Sequence, residues 1–82
     1  MSAAPTEVLS QLTAIFRDVT ENEHAVLAED TAARDVEGWD SFTHLKFITA
    51  IEEHYGIRFA LKDVVGFRNV GDMCRAVLAA AR

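Results

Sequence analysis

Apolar positions recur along the first part of the chain at helical spacing. Val8, Leu9, Leu12, Ile15, Phe16 and Val19 fall on one stripe, and Pro5 suits a first helical turn, where its missing N–H costs nothing. A helix is predicted over about residues 5–19. A second stripe follows Asp40 and Ser41, either of which can cap a helix. Leu45, Ile48, Ile51 and Tyr55 form one row, and Phe47, Ile51 and Tyr55 a neighbouring one, with Glu52 and Glu53 beside them and partly wet. Gly56 is placed to end this helix in the left-handed conformation, which bounds it at about 41–55. Val70, Met73, Cys74, Val77, Leu78 and Ala81 mark a last helix over about 70–81, opened by Asn69 with Asp72 three residues on, a capping-box-like start.

Between the second and last helices, Ile57 and Phe59 alternate with Arg58 and lead to a short helical segment at about 61–65. Thr20 to Trp39 shows no sustained period. A structureless stretch of this length inside a small domain is expected only where the loop is functional. Val26, Leu27, Val36 and Trp39 are its apolar pins, with Trp39 plugging the bundle and its indole N–H in want of a partner. The expected fold is all-α: three main helices, one short third helix and a long first loop, in a single domain covering 1–82.

Composition narrows the function. With 82 residues the core is thin, since so small a domain buries only about 60% of its unfolded surface; a deep catalytic cleft is not expected. One proline and four glycines argue against disorder and against a turn-rich β design. The net charge is −5 with no Lys/Arg cluster, which excludes a nucleic-acid footprint and favours partners with basic patches. The lone cysteine excludes an internal disulfide. No apolar run is long enough to span a bilayer, and Met1 to Pro5 lack the basic and apolar regions of a secretory signal. A cytoplasmic, discrete, monomeric protein is the expectation.

The segment Glu37-Gly38-Trp39-Asp40-Ser41-Phe42-Thr43-His44-Leu45 resembles the attachment motif of acyl and peptidyl carrier proteins, in which Gly shortly precedes an Asp-Ser pair. The likeness continues through Ile51-Glu52-Glu53-His54-Tyr55-Gly56-Ile57-Arg58-Phe59 and through the order of elements. It implies a four-helix acyl-carrier-protein-like bundle. It further implies that a phosphopantetheinyl transferase moves 4'-phosphopantetheine from coenzyme A onto Ser41, and that acyl or aminoacyl cargo then rides on the arm as a thioester. The partners implied are that transferase, an acyl- or aminoacyl-loading enzyme, and ketosynthase, condensation or other tailoring enzymes. The chain itself would be a carrier and not an enzyme.

A helix N-terminus is a suitable seat for the phosphodiester, because its free N–H groups and dipole favour an anion. Asp40 either caps the helix or helps the transferase recognise the site. Phe42, where the family usually has Leu, flanks the serine. Thr43, Lys46, Thr49, Glu52 and Glu53 form the expected docking face of the helix, with Asp35, Glu37 and Asp40 at its near end. From Asp35 to Glu53 five acids face a single lysine. Thr43 and Lys46 stand where many fatty-acid carriers have acids, which points to a specialised route: polyketide, nonribosomal peptide or related. Cargo is expected to be sheltered between this helix and the 61–65 segment.

Other candidates carry less. Cys74 lies on an apolar stripe, as a structural cysteine does. His24, His44 and His54 have no metal-ligand spacing, the loop acids lack the EF-hand pattern, and no metal site is expected. His44, one turn after Asp40, reads as a surface histidine. An unmodified helical adaptor is the alternative function. A small hydrolase using Ser41 or Cys74 is a third, for which no histidine base and orienting acid are evident.

Overall fold

The computed structural model describes residues 5–36 and 38–80; Glu37, the residues 1–4 and the residues 81–82 lie outside it, and with them the expected last residue of the final helix. The order of elements is α1 (Pro5–Thr20), a 3-10 turn (Ala33–Asp35), α2 (Ser41–Tyr55), α3 (Leu61–Gly66) and α4 (Val70–Ala80). The described residues contain no strand. Helix α1 packs against both α2 and α4.

The stripe of α1 meets that neighbourhood with Val8, Leu12 and Phe16, all fully buried, while Leu9 and Ile15 line the edge. The helix ends at Glu21, whose φ of 53° is left-handed, and the Asn22 N–H returns to the Arg17 carbonyl at 3.0 Å. In α4, Val70, Met73, Cys74 and Val77 are buried, in keeping with its predicted stripe. Phe16, Phe47 and Trp39 meet at the centre, with ring centroids 4.9 to 5.6 Å apart in tilted or edge-on pairs.

Helix α2 corrects one reading. Its buried residues are Phe47, Ile48 and Ile51, with Tyr55 half-buried and its hydroxyl donating to Gln11 Oε1. Leu45 is 56% exposed. At about 100° per residue the centre of the Phe47, Ile48, Ile51 and Tyr55 face lies roughly 100° away from Leu45, so the row containing Phe47 won the core and Leu45 was left on its flank. Gly56 ends the helix as expected, at φ 66°. Its N–H and that of Ile57 both point to the Glu52 carbonyl.

The long loop is fastened rather than loose. Arg17 Nε donates to the Ala25 carbonyl at 2.6 Å. Ala25, Leu27, Ala32 and Trp39 are buried, whereas Val26, read as a pin, points outward at 74% exposure, as its position between two inward neighbours requires. The Thr31 and Glu29 carbonyls accept from Val70 N and Gly71 N, each at 2.8 Å. These are first-turn donors of α4 that have no partner inside the helix. The close approach explains a glycine here: a Cβ on residue 71 would stand 2.9 Å from the Glu29 carbonyl oxygen. Asn69 caps α4 through Oδ1, which accepts from Asp72 N at 2.9 Å, but the Asp72 carboxylate reaches Arg68 N instead of the cap residue's own N–H.

Candidate functional site

Asp40, not Ser41, is the cap of α2. Its Oδ1 accepts from the Thr43 N–H at 2.8 Å, and its carbonyl accepts from His44 N at 2.9 Å. The Thr43 backbone N–H, and after it the Thr43 hydroxyl, hold the Asp40 carboxyl below the usual carboxylate range. Ser41 is thereby the first residue of the helix and is exposed. At this position the N–H groups of Ser41 and Phe42 have no helical acceptor, so the hydroxyl stands beside the positive end of a 15-residue helix.

Trp39, immediately before the cap, fixes how the chain enters the site. The indole is buried against Phe16 and Phe47, and its Nε1–H donates to His44 Nδ1 at 3.1 Å. His44 is therefore not a free surface histidine. It is the partner the indole needed, and accepting at Nδ1 leaves the neutral imidazole's proton on Nε2. Gly38 takes a φ of 87° just upstream, a left-handed turn that glycine adopts without strain. Loop, plug and cap together hold Ser41 on a rigid element.

The residues read as a docking face separate into two groups. Phe42 is 71% exposed and its ring lies under Lys46 Nζ, 5.3 Å from the centroid, a cation–π contact. With Thr49 and Glu53 these side chains line a shallow groove of about 380 Å³ between α1 and α2. Leu45, which its spacing puts on one of the two apolar rows, lines the same groove. Thr43 is half-buried and tied to Asp40, and one Glu52 oxygen accepts from Phe59 N at 2.8 Å, which fastens the link into α3. Asp35 likewise acts within its own turn, accepting from Ala32 N at 3.1 Å. Leu61 and Val65 of α3 are exposed at 76% and 75%. A cleft of about 630 Å³ lies elsewhere, between the long loop, the start of α2 and the α3–α4 link, with Trp39 and His44 in its wall. Nothing in the sequence pattern pointed to it, because its walls come from three separate segments.

An exposed serine at a helix N-terminus, with an unobstructed hydroxyl and a fixed backbone, fits a covalently attached phosphodiester group. Comparison with known proteins agrees with this geometry. Residues 10–77 match the family model described as the phosphopantetheine attachment site. A holo acyl carrier protein from Geobacter metallireducens, solved by solution NMR, superposes with a TM-score of 0.80. It is 41% identical over 85% of this chain and 80% of its own. No curated protein matches the sequence significantly. On the family match across most of its length and the shared fold, the chain belongs to the phosphopantetheine-bearing acyl carrier proteins.

Proposed function

We propose that Ser41 is the residue that bears the 4'-phosphopantetheine arm. The observation carrying this reading is the exposed Ser41 hydroxyl at the first position of α2, directly after the capping Asp40 and the buried Trp39. Attachment forms a bond between Ser41 Oγ and the phosphorus of coenzyme A's pantetheine phosphate. The pyrophosphate bond breaks, adenosine 3',5'-bisphosphate leaves, and the hydroxyl proton passes to a base of the transferase. When bound, the group supplies a terminal thiol that holds acyl or aminoacyl cargo as a thioester.

The protein is a carrier, not an enzyme, and its own residues position and present. Asp40 fixes the first turn, Trp39 and His44 hold the loop against it, and the orphan N–H groups of Ser41 and Phe42 favour the phosphodiester charge. Partner enzymes dock on Phe42, Lys46, Thr49 and Glu53, with Asp40, Thr43 and Glu52 setting the backbone beneath them. Lys46 over Phe42 places a cation close to the attachment point. This supports partners other than those that read a uniformly acidic helix, hence a specialised pathway (polyketide, nonribosomal peptide or related) in a cytoplasmic, monomeric carrier. Those partners would be a loading enzyme and ketosynthase, condensation or tailoring enzymes.

The test is intact mass after incubation with coenzyme A and a broad-specificity phosphopantetheinyl transferase. One phosphopantetheine should add to the wild type and none to Ser41→Ala. Equal addition to both, or addition to neither while a control carrier is modified, would sink the assignment. Competition against a fatty-acid-synthesis carrier for its ketosynthase tests the pathway: equal acceptance of this chain would remove the case for a dedicated route.

A further inference from the structure

The cleft beside Trp39 and His44 is cationic in an acidic protein. The chain carries a net charge of −5, yet the walls of this cleft contain Arg34 and Arg68 against Asp30 as the one acid. Arg34 sits on the 3-10 turn, is exposed, and makes no ion pair among the described residues. Arg68 approaches Asp72 only at 3.7 Å, and its side chain is 88% exposed. The Asp72 oxygens are already engaged, one by Arg68's own backbone N–H and the other by the Arg75 guanidinium. Asn69 in the same wall has its carbonyl oxygen taken by Asp72 N, which leaves its NH2 end as a donor.

Donors are thus in excess in the lining of a cleft to which Phe67 and Met73 add apolar surface. Two guanidinium groups and an amide NH2 suit a carboxylate, which accepts paired hydrogen bonds from planar donors. Such a lining does not suit the end of a plain alkyl chain, which would strip water from unpaired donors. The cleft is also within reach of the arm: His44 in its wall follows Ser41 by three residues, about 4.5 Å along one face of α2.

We infer that this cleft is a subsite for the far end of the cargo, and that it takes acyl groups ending in a carboxylate, held by Arg34, Arg68 and Asn69. The inference rests on Ser41 bearing the arm. The same donors would accept one other anion within reach, the arm's phosphodiester, and the experiment separates the two. Exposed pairs of this kind contribute modestly, so a carboxylate should raise the docked population by about 1.5- to 5-fold over an isosteric neutral chain.

The test loads the full chain with the arm alone, with an amide-linked pentanoyl arm, and with an amide-linked glutaryl arm, each confirmed by intact mass. The signals read are the side-chain Nε–H of Arg34 and Arg68 and the Asn69 NH2 in 15N-edited NMR. Expected are shifts in the glutaryl form alone, reduced by salt, with the Asn69 NH2 shift lost in Arg34→Gln/Arg68→Gln. Equal shifts with pentanoyl, no shifts with any cargo, or full shifts with the bare arm would overturn the subsite, the last by assigning the anion to the phosphodiester. Failure of any arm to attach shows in the mass and overturns the carrier reading together with this one.

Discussion

The indole N–H of Trp39 donates to Nδ1 of His44, 3.1 Å away and five residues on, and the two rings lie nearly parallel with centroids 6.0 Å apart. This pair ties the last turn of the long loop to the first turn of α2, on either side of Asp40 and Ser41. A buried indole N–H without an acceptor costs about 1–3 kcal/mol, and His44→Ala is expected to destabilise the fold by that amount. Trp39→Phe keeps an aromatic plug and removes the donor, so the double variant should lose less than the sum of the two singles. Urea unfolding of the four proteins measures the coupling, expected at about 0.5–1.5 kcal/mol. Strict additivity would mean that the bond contributes nothing.

Gly71 carries a further attachment of the loop. A Cβ there would meet the Glu29 backbone oxygen at 2.9 Å and Asn69 Oδ1 at 3.3 Å. Backbone cannot swing aside as a side chain can, so Gly71→Ala must push the loop off α4 and lengthen the Gly71–Glu29 hydrogen bond. Alanine is ordinarily the better helix former, yet here a loss of about 1–3 kcal/mol is expected. Thermal unfolding checks the sign: a raised midpoint would show that the loop relaxes freely.

Particular residues show what was legible from sequence and what was not. The helices followed from 3.6-residue periodicity and from local punctuation such as Gly56, whose φ of 66° needs no tertiary context. The proposal of Ser41 as the attachment residue rests on its motif and its position after a long loop. Legibility ended wherever the partner is distant in sequence. The Gly71–Glu29 contact spans the whole of α2 and α3, and neither residue advertises it. Leu45 fitted a helical stripe as well as Phe47 did, and only packing against Phe16 of α1 and Trp39 decided between them. The cleft with Arg34 and Arg68 could not be read at all, because charged residues on separate loops carry no period.

Cys74 offers a pH-dependent test. Burial, and after it the nearby Glu29 charge, push its thiol up from the ordinary 9.0 to about 11. At pH 8 roughly one molecule in a thousand would hold the thiolate. Alkylation of the native apo protein with iodoacetamide should therefore be very slow, and should become fast in denaturant. In the arm-bearing form, a single rapid alkylation is expected, on the arm's thiol. The sign for stability follows from the same shift. With the folded value raised, the cysteine's contribution is fully present below pH 9 and is lost as pH rises through about 11. Cys74→Ser should flatten that alkaline decline relative to wild type; an unchanged slope would assign the decline to other groups.

Ile51 and Leu45 lie on one helix, one in the core and the other on the exposed groove. Ile51 is fully buried while Leu45 is 56% exposed beside Phe42 and Lys46 in the groove between α1 and α2. Removing the Ile51 side chain leaves a cavity in a thin core, and Ile51→Ala is expected to cost about 2–5 kcal/mol, a large share of the stability of so small a domain. Leu45→Ala leaves no enclosed cavity and should change stability by about 0.5 kcal/mol or less. Its effect should instead fall on encounters with partner enzymes, as a slower rate of arm attachment at unchanged unfolding midpoint. Chemical denaturation and the time course of mass addition read the two effects separately. A Leu45→Ala variant as unstable as Ile51→Ala would return Leu45 to the core and leave Phe42 as the apolar residue of the proposed docking face.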